Sequence, residues 1–243
     1  MASNPVFNKN AFERAQQDMN SADQVMTLQG TINKTFFLLF LCVVGGMLSW
    51  TNYTMGFSVL IAITIVTFII GIITAFKPKI SPITAPIYSF LEGLFLGAVS
   101  AEYNASFPGI VFNAVAITLL IFFFMLFIYR TRIIKVTKGF NVALISAMMA
   151  IFVLYLVSSI LYFFGVNTAY LTSSSPLSIG ISVVVCIVAA FNFLSDFNFI
   201  DKMTGSFAAP KFMEWYAGFG LIVTLIWLYY DILRLLGKIL NRR

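Results

Sequence analysis

The sequence of 243 residues has no histidine and only two cysteines. Without histidine, the chain cannot form Ser–His or Cys–His nucleophile pairs, imidazole zinc sites or histidine proton relays. Cys42 and Cys186 lie inside apolar segments, where a thiol behaves as a small hydrophobic group, so we expect neither a disulfide nor a redox site. Phosphate-binding, dinucleotide-binding and hydrolase motifs are also missing. We therefore expect no enzymatic activity, no cofactor and no resident metal.

Charged residues are also scarce, at 10% of the chain against 60% hydrophobic residues. A soluble domain usually carries about 25% charged residues on its surface. A lipid-facing surface needs almost none, because each transmembrane helix satisfies its own backbone groups. The formal net charge of +6 comes from short basic clusters at the ends of apolar runs. Such clusters are typical of membrane orientation and do not indicate a nucleic-acid partner.

Seven apolar runs approach or reach the roughly 20 residues that span a bilayer. Segments rich in Pro, Gly and Ser separate several of them, and the runs lie at about 35–50, 55–76, 83–100, 109–128, 142–164, 177–194 and 216–230. The pattern predicts an all-α polytopic membrane protein of about seven transmembrane helices. We divide the chain into a cytoplasmic polar leader (1–33), one membrane domain (34–236) and a basic C-terminal tail (237–243).

The basic residues predict the orientation of these helices. If the N-terminus is cytoplasmic, 11 of the 15 Lys and Arg residues fall on the cytoplasmic side. The opposite loops at 51–54, 101–108 and 165–176 contain none, as the positive-inside rule requires. The tail is the exception, because Arg234, Lys238 and two terminal arginines follow the seventh run. Either this basic tail is translocated, or the last segment returns without crossing.

Glu92 lies near the middle of the third run, where an ionised carboxylate costs about 2.5 to 3.5 kcal/mol. Gly93 and Gly97 share a helix face close to it and allow another helix to approach. One interpretation makes Glu92 an ion or proton site inside the bundle. The other is a protonated side chain that is hydrogen-bonded to a neighbouring helix.

Three aspartates follow or end apolar runs. Asp196 and Asp201 are five residues apart, which turns them about 140° from each other on a continuous helix. Asp196 suits either an ion pathway or a simple helix end, and Asp201 suits a solvated cap. Asp231 precedes Arg234 by three residues and Lys238 by seven, roughly on one face, so a surface ion pair explains it equally well. Glu214, beside two aromatic residues, is typical of a membrane-interface anchor.

Five segments together resemble the Bax inhibitor-1 superfamily, the transmembrane Bax-inhibitor-motif proteins, and specifically its bacterial branch. The segments are FKPKISP at 76–82, SFLEGLFLG at 89–97, DFNFID at 196–201, APKFMEWY at 209–216 and WLYYDILRLL at 227–236. The resemblance implies a seven-helix fold in which six helices wrap the last one. It also implies a passive, pH-sensitive calcium leak in the bacterial inner membrane.

The resemblance further implies a latch in which an aspartate on the sixth helix shares a proton with one on the seventh. Asp196 and Asp231 are the matching positions, and Lys77 is a weak match for the basic residue that assists the latch. Adjacent buried carboxylates cannot both ionise easily, so deprotonation would open the helices and offer oxygen ligands to calcium. If residues 211 to 231 cross fully, however, about 30 Å separates the two aspartates. Either the seventh helix begins later and continues to about Leu240, or the latch uses another partner such as Glu92.

Two functions therefore stand as hypotheses. The first is a calcium leak gated by protonation of intramembrane carboxylates, with Glu92, Asp196, Asp231 and Asp201 as candidate residues. The second is a membrane scaffold or regulator that binds other membrane proteins, such as proteases, through the Gly93 and Gly97 face. The expected partners are the lipid bilayer and calcium ions, together with other membrane proteins under the second hypothesis.

Overall fold

The computed structural model describes residues 25–51, 56–165, 171, 173–205 and 209–242. Within these residues, seven α-helices are long and apolar enough to cross a membrane. They are α1 (Leu28–Thr51), α2 (Phe57–Phe76), α3 (Ser81–Ser106), α4 (Ile110–Arg130), α5 (Lys138–Phe163), α6 (Pro176–Gly205) and α7 (Met213–Leu240). The prediction of an all-α protein with seven transmembrane helices is confirmed. Residues 1–24 of the predicted leader lie outside the described residues.

Proline and glycine set several helix boundaries, as the sequence indicates. Pro78 opens a short 3-10 turn that joins α2 to α3, and Pro176 begins α6. Gly109 precedes α4 with φ of 84°, a left-handed conformation that glycine adopts without a steric penalty. Thr137 caps α5, because its side chain accepts a hydrogen bond from the Phe140 amide.

Several helices continue beyond the apolar runs that predicted them. Helix α1 begins at Leu28 instead of near 35, and α7 continues to Leu240 instead of ending near 230. Helix α6 likewise extends to Gly205 and includes both Asp196 and Asp201. Counting apolar residues misses these additional helical turns, because residues with polar side chains continue the helix where neighbouring helices supply hydrogen-bond partners.

Helix α7 lies at the centre of the bundle and contacts α1, α3, α4 and α6. The most apolar stretch of α7 is more buried than the corresponding stretch of any of the other six described helices. Tyr216, Phe219, Ile222, Leu228 and Leu233 are among the largest fully buried side chains. Helix α2 packs mainly on α3, and α5 packs mainly on α6. The predicted central position of the last helix is therefore confirmed.

Helices α1 and α3 approach each other through glycine. A side chain at Gly93 would overlap the backbone of Cys42, and one at Gly97 would overlap the backbone of Gly46. A side chain at Gly45 would meet the Phe90 carbonyl in the same way. Small residues permit this close backbone contact between membrane helices. The helix that occupies the Gly93 and Gly97 face is thus α1 of the same chain.

The two ends of α7 lie at opposite ends of the bundle. Near its start, Glu214 contacts Lys34 and Thr27 at the beginning of α1. Near its end, Lys238 donates a hydrogen bond of 2.6 Å to the carbonyl of Leu171, in the connection that precedes α6. The 28 residues of α7 span about 42 Å at 1.5 Å per residue. Of the two alternatives for the tail, a continuous helix of this length favours the complete crossing.

Candidate functional site

A row of polar side chains runs between α6 and α7. Thr224, Asp231 and Lys238 are spaced by seven residues on α7, and seven residues make almost two full turns, so the three side chains share one face. Helix α6 faces them with Asp196, which contacts Thr224, and with Ser182, which contacts Lys238. We call these five residues together with Arg234 the polar stripe.

Asp196 is the deepest carboxylate of the polar stripe, with 0% of its surface exposed. The hydroxyl of Thr224 donates a hydrogen bond of 2.7 Å to its Oδ2 atom. Phe193 and Phe197, from the same helix, belong to the buried core around it. Of the two alternatives for Asp196, the simple helix end is wrong, because α6 continues for nine residues beyond it.

Asp231 is also buried, with 3% of its surface exposed. Its Oδ1 atom lies 3.3 Å from Nη2 of Arg234, so the expected ion pair is present. The pair is not on the surface, however, and the Oδ2 atom of Asp231 has no hydrogen-bond partner among the described residues. Tyr155 of α5 accepts a hydrogen bond from the Arg234 guanidinium. The guanidinium carbon also lies 5.0 Å from the centre of the Tyr155 ring, in cation–π contact.

Asp196 and Asp231 occupy successive positions along the polar stripe. Asp196 lies beside Thr224, and Asp231 follows Thr224 by about two turns, or roughly 10 Å along the axis of α7. The separation is therefore about a third of the 30 Å that a crossing from 211 to 231 implied. Each carboxylate has its own polar contact, Thr224 for Asp196 and Arg234 for Asp231.

Lys238 closes the polar stripe at the C-terminal end of α7 and is 7% exposed. Its ammonium group donates to the Leu171 carbonyl at 2.6 Å, to the Ser182 hydroxyl at 2.8 Å and to the Ser178 carbonyl at 3.5 Å. All three acceptors are neutral. In the part of the chain that the structure describes, no carboxylate lies within 4.0 Å of this ammonium group.

A cavity of about 980 Å³ opens beside Arg234 and Lys238. It lies among the C-terminal ends of α3, α5 and α7 and the segment that precedes α6. We call this cavity the vestibule, and its hydroxyl-bearing and cationic lining includes Tyr103, Ser106, Tyr155, Ser159, Arg234 and Lys238. The polar stripe thus leads from the buried Asp196 to an open polar cavity.

Two other predicted site residues lie apart from the polar stripe. Asp201 is exposed and accepts a hydrogen bond of 3.0 Å from the Tyr129 hydroxyl. Glu92 is half-buried on α3, close enough to Cys42 and Tyr88 to interact with them electrostatically. Its carboxylate makes no hydrogen bond or ion pair with any residue that the structure describes. A search of these residues for three or more acidic, Cys or His side chains that could hold a metal finds no such group.

At the other end of α7, Glu214 is a buried residue that connects this helix to α1, whereas the sequence suggested a membrane-interface anchor. It is 1% exposed. Its carboxylate accepts hydrogen bonds of 2.9 Å from both the amide and the hydroxyl of Thr27, and it forms an ion pair with Lys34. The neighbouring Tyr216 is fully buried and donates to the Ala75 carbonyl at 3.2 Å. These contacts join the start of α7 to α1 and to the end of α2.

Thr224 and Tyr155 are functional residues that were not predicted from the sequence. The seven-residue spacing of Thr224, Asp231 and Lys238 was the available signal for Thr224, whereas no local pattern marks Tyr155. The basic residue beside Asp231 is Arg234 on the same helix. Lys77 lies at the end of α2, on the opposite side of the bundle, next to the start of α3.

The Gly93 and Gly97 face cannot receive a partner helix in this arrangement, because the backbone of α1 already occupies it. The hypothesis of a scaffold that binds other membrane proteins therefore loses the surface that motivated it.

Comparison with known families identifies the chain. The model of the family described as Bax inhibitor 1 like matches residues 4–241. No curated protein gives a significant match. The match covers almost the whole chain, so this protein belongs to the Bax inhibitor 1 like family and is a multi-pass membrane protein of that family.

Proposed function

We propose that this member of the Bax inhibitor 1 like family is a passive, pH-sensitive cation leak that conducts calcium. Protonation of carboxylates inside the bundle gates it. The observation that carries the proposal is the polar stripe, which places Asp196 and Asp231 in line between α6 and α7 and leads to the vestibule. The proposal also takes the N-terminus as cytoplasmic, in a bacterial inner membrane, with the vestibule on the opposite side.

The chemistry of the two carboxylates suits calcium. Calcium prefers oxygen ligands, and carboxylates are the strongest of these in proteins. An ionised carboxylate among lipid-embedded helices is costly unless it has a partner. A permeating calcium ion supplies that partner, and a proton removes the charge instead. Ionised Asp196 and Asp231 therefore favour passage of the cation, and their protonated forms oppose it.

The contacts of the polar stripe describe a closed state in this proposal. Arg234 occupies one oxygen of Asp231, and Thr224 donates to Asp196. A calcium ion that passes must displace the guanidinium from Asp231. Arg234 and Lys238 also place positive charge at the mouth of the polar stripe, which repels a cation in a site of low dielectric constant. Conduction therefore requires Arg234 to move towards the vestibule.

Calcium flux into proteoliposomes tests the proposal. Purified protein is reconstituted with an enclosed calcium indicator, and flux is measured from about pH 5 to 8, where carboxylates in such environments titrate. We expect flux to rise with pH, because deprotonation supplies the charges that attract calcium. Asp196→Asn and Asp231→Asn should each reduce flux about tenfold or more, since a change of about 1.4 kcal/mol in the barrier gives a factor of ten.

Glu102→Gln is the matched control, because Glu102 is an exposed carboxylate on α3. It should keep both the flux and its pH dependence. Flux that does not change with pH in the unaltered protein would contradict the proposal. Asparagine variants that are folded and conduct with an unaltered pH profile would contradict it too.

A further inference from the structure

Among the described residues, the vestibule has two cations, Arg234 and Lys238, and one carboxylate beside them, that of Asp231. Of its two cations, Arg234 has Asp231 as its ion-pair partner, at 3.3 Å. In the described part of the chain, Lys238 contacts only neutral oxygens, from Leu171, Ser178 and Ser182. A buried charge is costly without a counter-charge. The vestibule therefore attracts an anion to the ammonium group of Lys238.

The vestibule also has unused hydrogen-bonding capacity. The Nε–H group of Arg234 is buried and has no acceptor among the described residues. Hydroxyl groups of Tyr103 and Ser106 line the same cavity. Guanidinium, ammonium and hydroxyl donors together form the donor set that recognises phosphate oxygens.

The size of the cavity indicates more than an inorganic ion. A volume of about 980 Å³ is at the upper end of the roughly 300 to 1,000 Å³ that small-molecule sites occupy. Basic pockets between membrane helices commonly hold the headgroups of anionic lipids. The same donor set also suits a soluble phosphate monoester.

We infer that the vestibule binds the phosphate group of an anionic ligand, with Lys238 as its counter-charge. The source is either an anionic phospholipid headgroup or a soluble phosphate monoester. The inference goes beyond the proposed leak, because binding is measured without any ion flux. Its failure would leave the role of Asp196 and Asp231 untouched, and the failure of the leak would leave the anion site untouched.

The test measures binding to the full chain purified in a neutral detergent. Phosphatidylglycerol, which is anionic, and phosphatidylcholine, which has no net charge, are titrated separately, and bound lipid is counted by native mass spectrometry. A parallel arm follows the shift in unfolding temperature on addition of glycerol 1-phosphate. We expect preferential binding of phosphatidylglycerol by about tenfold, or stabilisation by glycerol 1-phosphate at millimolar concentration.

Variants locate the site. Lys238→Gln should reduce binding about tenfold, which corresponds to about 1.4 kcal/mol, and Lys238→Arg should retain most of it. Lys202→Gln is the matched control, because Lys202 is an exposed lysine at the other end of α6, and it should bind as the unaltered protein does. Ser159→Trp fills the vestibule from an exposed position on α5. It should also reduce binding, and it serves as the second variant if Lys238→Gln does not fold.

Each outcome decides the matter. Selective binding of the lipid supports a headgroup site, and stabilisation by glycerol 1-phosphate alone supports a soluble ligand of the same chemistry. Equal binding of the two lipids without any effect of glycerol 1-phosphate overturns the inference. Binding that persists in both Lys238→Gln and Ser159→Trp overturns it as well, because the anion then lies elsewhere.

Discussion

The two ends of α7 each carry a buried acid and a nearby base, but the two pairs differ in how completely they are bonded. At the start of α7, the Glu214 carboxylate has Lys34 and both donors of Thr27 as partners. Near its end, Asp231 has Arg234 on one oxygen only, and the described residues supply no partner for Oδ2 of Asp231 or Nε of Arg234.

This difference distinguishes a contact that stabilises the fold from a site whose polar atoms have unused hydrogen-bonding capacity. Buried polar groups in folded proteins are almost always hydrogen-bonded, so the exceptions need an explanation. The contacts of Glu214 are saturated and join the start of α7 to α1, as a structural fastening requires. The pair near the end of α7 retains free donors and acceptors beside the vestibule, where a permeating ion or a bound anion can use them.

The largest expected effect on the free energy of unfolding is at the start of α7, where the contacts of Glu214 are saturated. Glu214→Ala removes the acceptor for Thr27 and leaves the Lys34 ammonium without its partner. Breaking a buried pair on one side typically costs about 3 to 5 kcal/mol, and the partial exposure of Lys34 lowers our expectation to about 3 kcal/mol. The free energy of unfolding, measured by titration with sodium dodecyl sulfate in mixed micelles, checks this value.

Glu102→Ala is the control for this measurement, because its carboxylate is exposed on α3. It should change the free energy of unfolding by less than about 0.5 kcal/mol. A loss below about 1 kcal/mol for Glu214→Ala would mean that the start of α7 is not fastened through this carboxylate.

A smaller effect is expected near the other end of α7. Tyr155→Phe removes the hydroxyl that accepts from Arg234 but keeps the ring under the guanidinium. One hydrogen bond is worth about 1 kcal/mol, so the free energy of unfolding should fall by about that amount. The same micelle titration measures it. Tyr162→Phe, at an exposed tyrosine of the same helix, should leave the value unaltered, and an equal loss in both variants would show that the Arg234 contact is not responsible.

The smallest effect is expected at Asp201. Its carboxylate is exposed and accepts one hydrogen bond from Tyr129. Asp201→Asn keeps an acceptor oxygen at the same place, so the free energy of unfolding should change by less than about 0.5 kcal/mol. Calcium flux in proteoliposomes should also be retained, because Asp201 lies apart from the polar stripe. A large loss of flux would place Asp201 on the ion pathway, as the sequence analysis first suggested.

The sequence predicted the helix count because length and apolarity are local properties that any spanning helix must have. It predicted helix ends less well. The run near 216–230 was ten residues too short at its C-terminal end, since Asp231, Arg234 and Lys238 lower the local hydropathy, although Asp231 and Lys238 are buried in the bundle and Arg234 is half-buried. Their burial depends on partners in α5 and α6, which no local pattern shows.

The candidate site was predicted in part. The cost of a carboxylate in hydrocarbon singled out Asp196 and Asp231 as sequence features, and the structure places both on the polar stripe. The same argument singled out Glu92 equally, and the structure leaves Glu92 on α3, beside α1. The alternative of a simple helix end was wrong for Asp196, because α6 continues beyond the end of the apolar run.

By itself, the sequence determined that this protein is a bundle of seven membrane-spanning helices, because composition and hydrophobic length decide what can exist in lipid. Only the tertiary structure decided which acid meets which base. Glu214 pairs with Lys34, 180 residues away in the chain, and Lys238 is held by neutral oxygens of α6 and the segment before it. The physical reason is that hydrogen bonds and ion pairs act over a few ångströms, so the packing of the helices determines the partners.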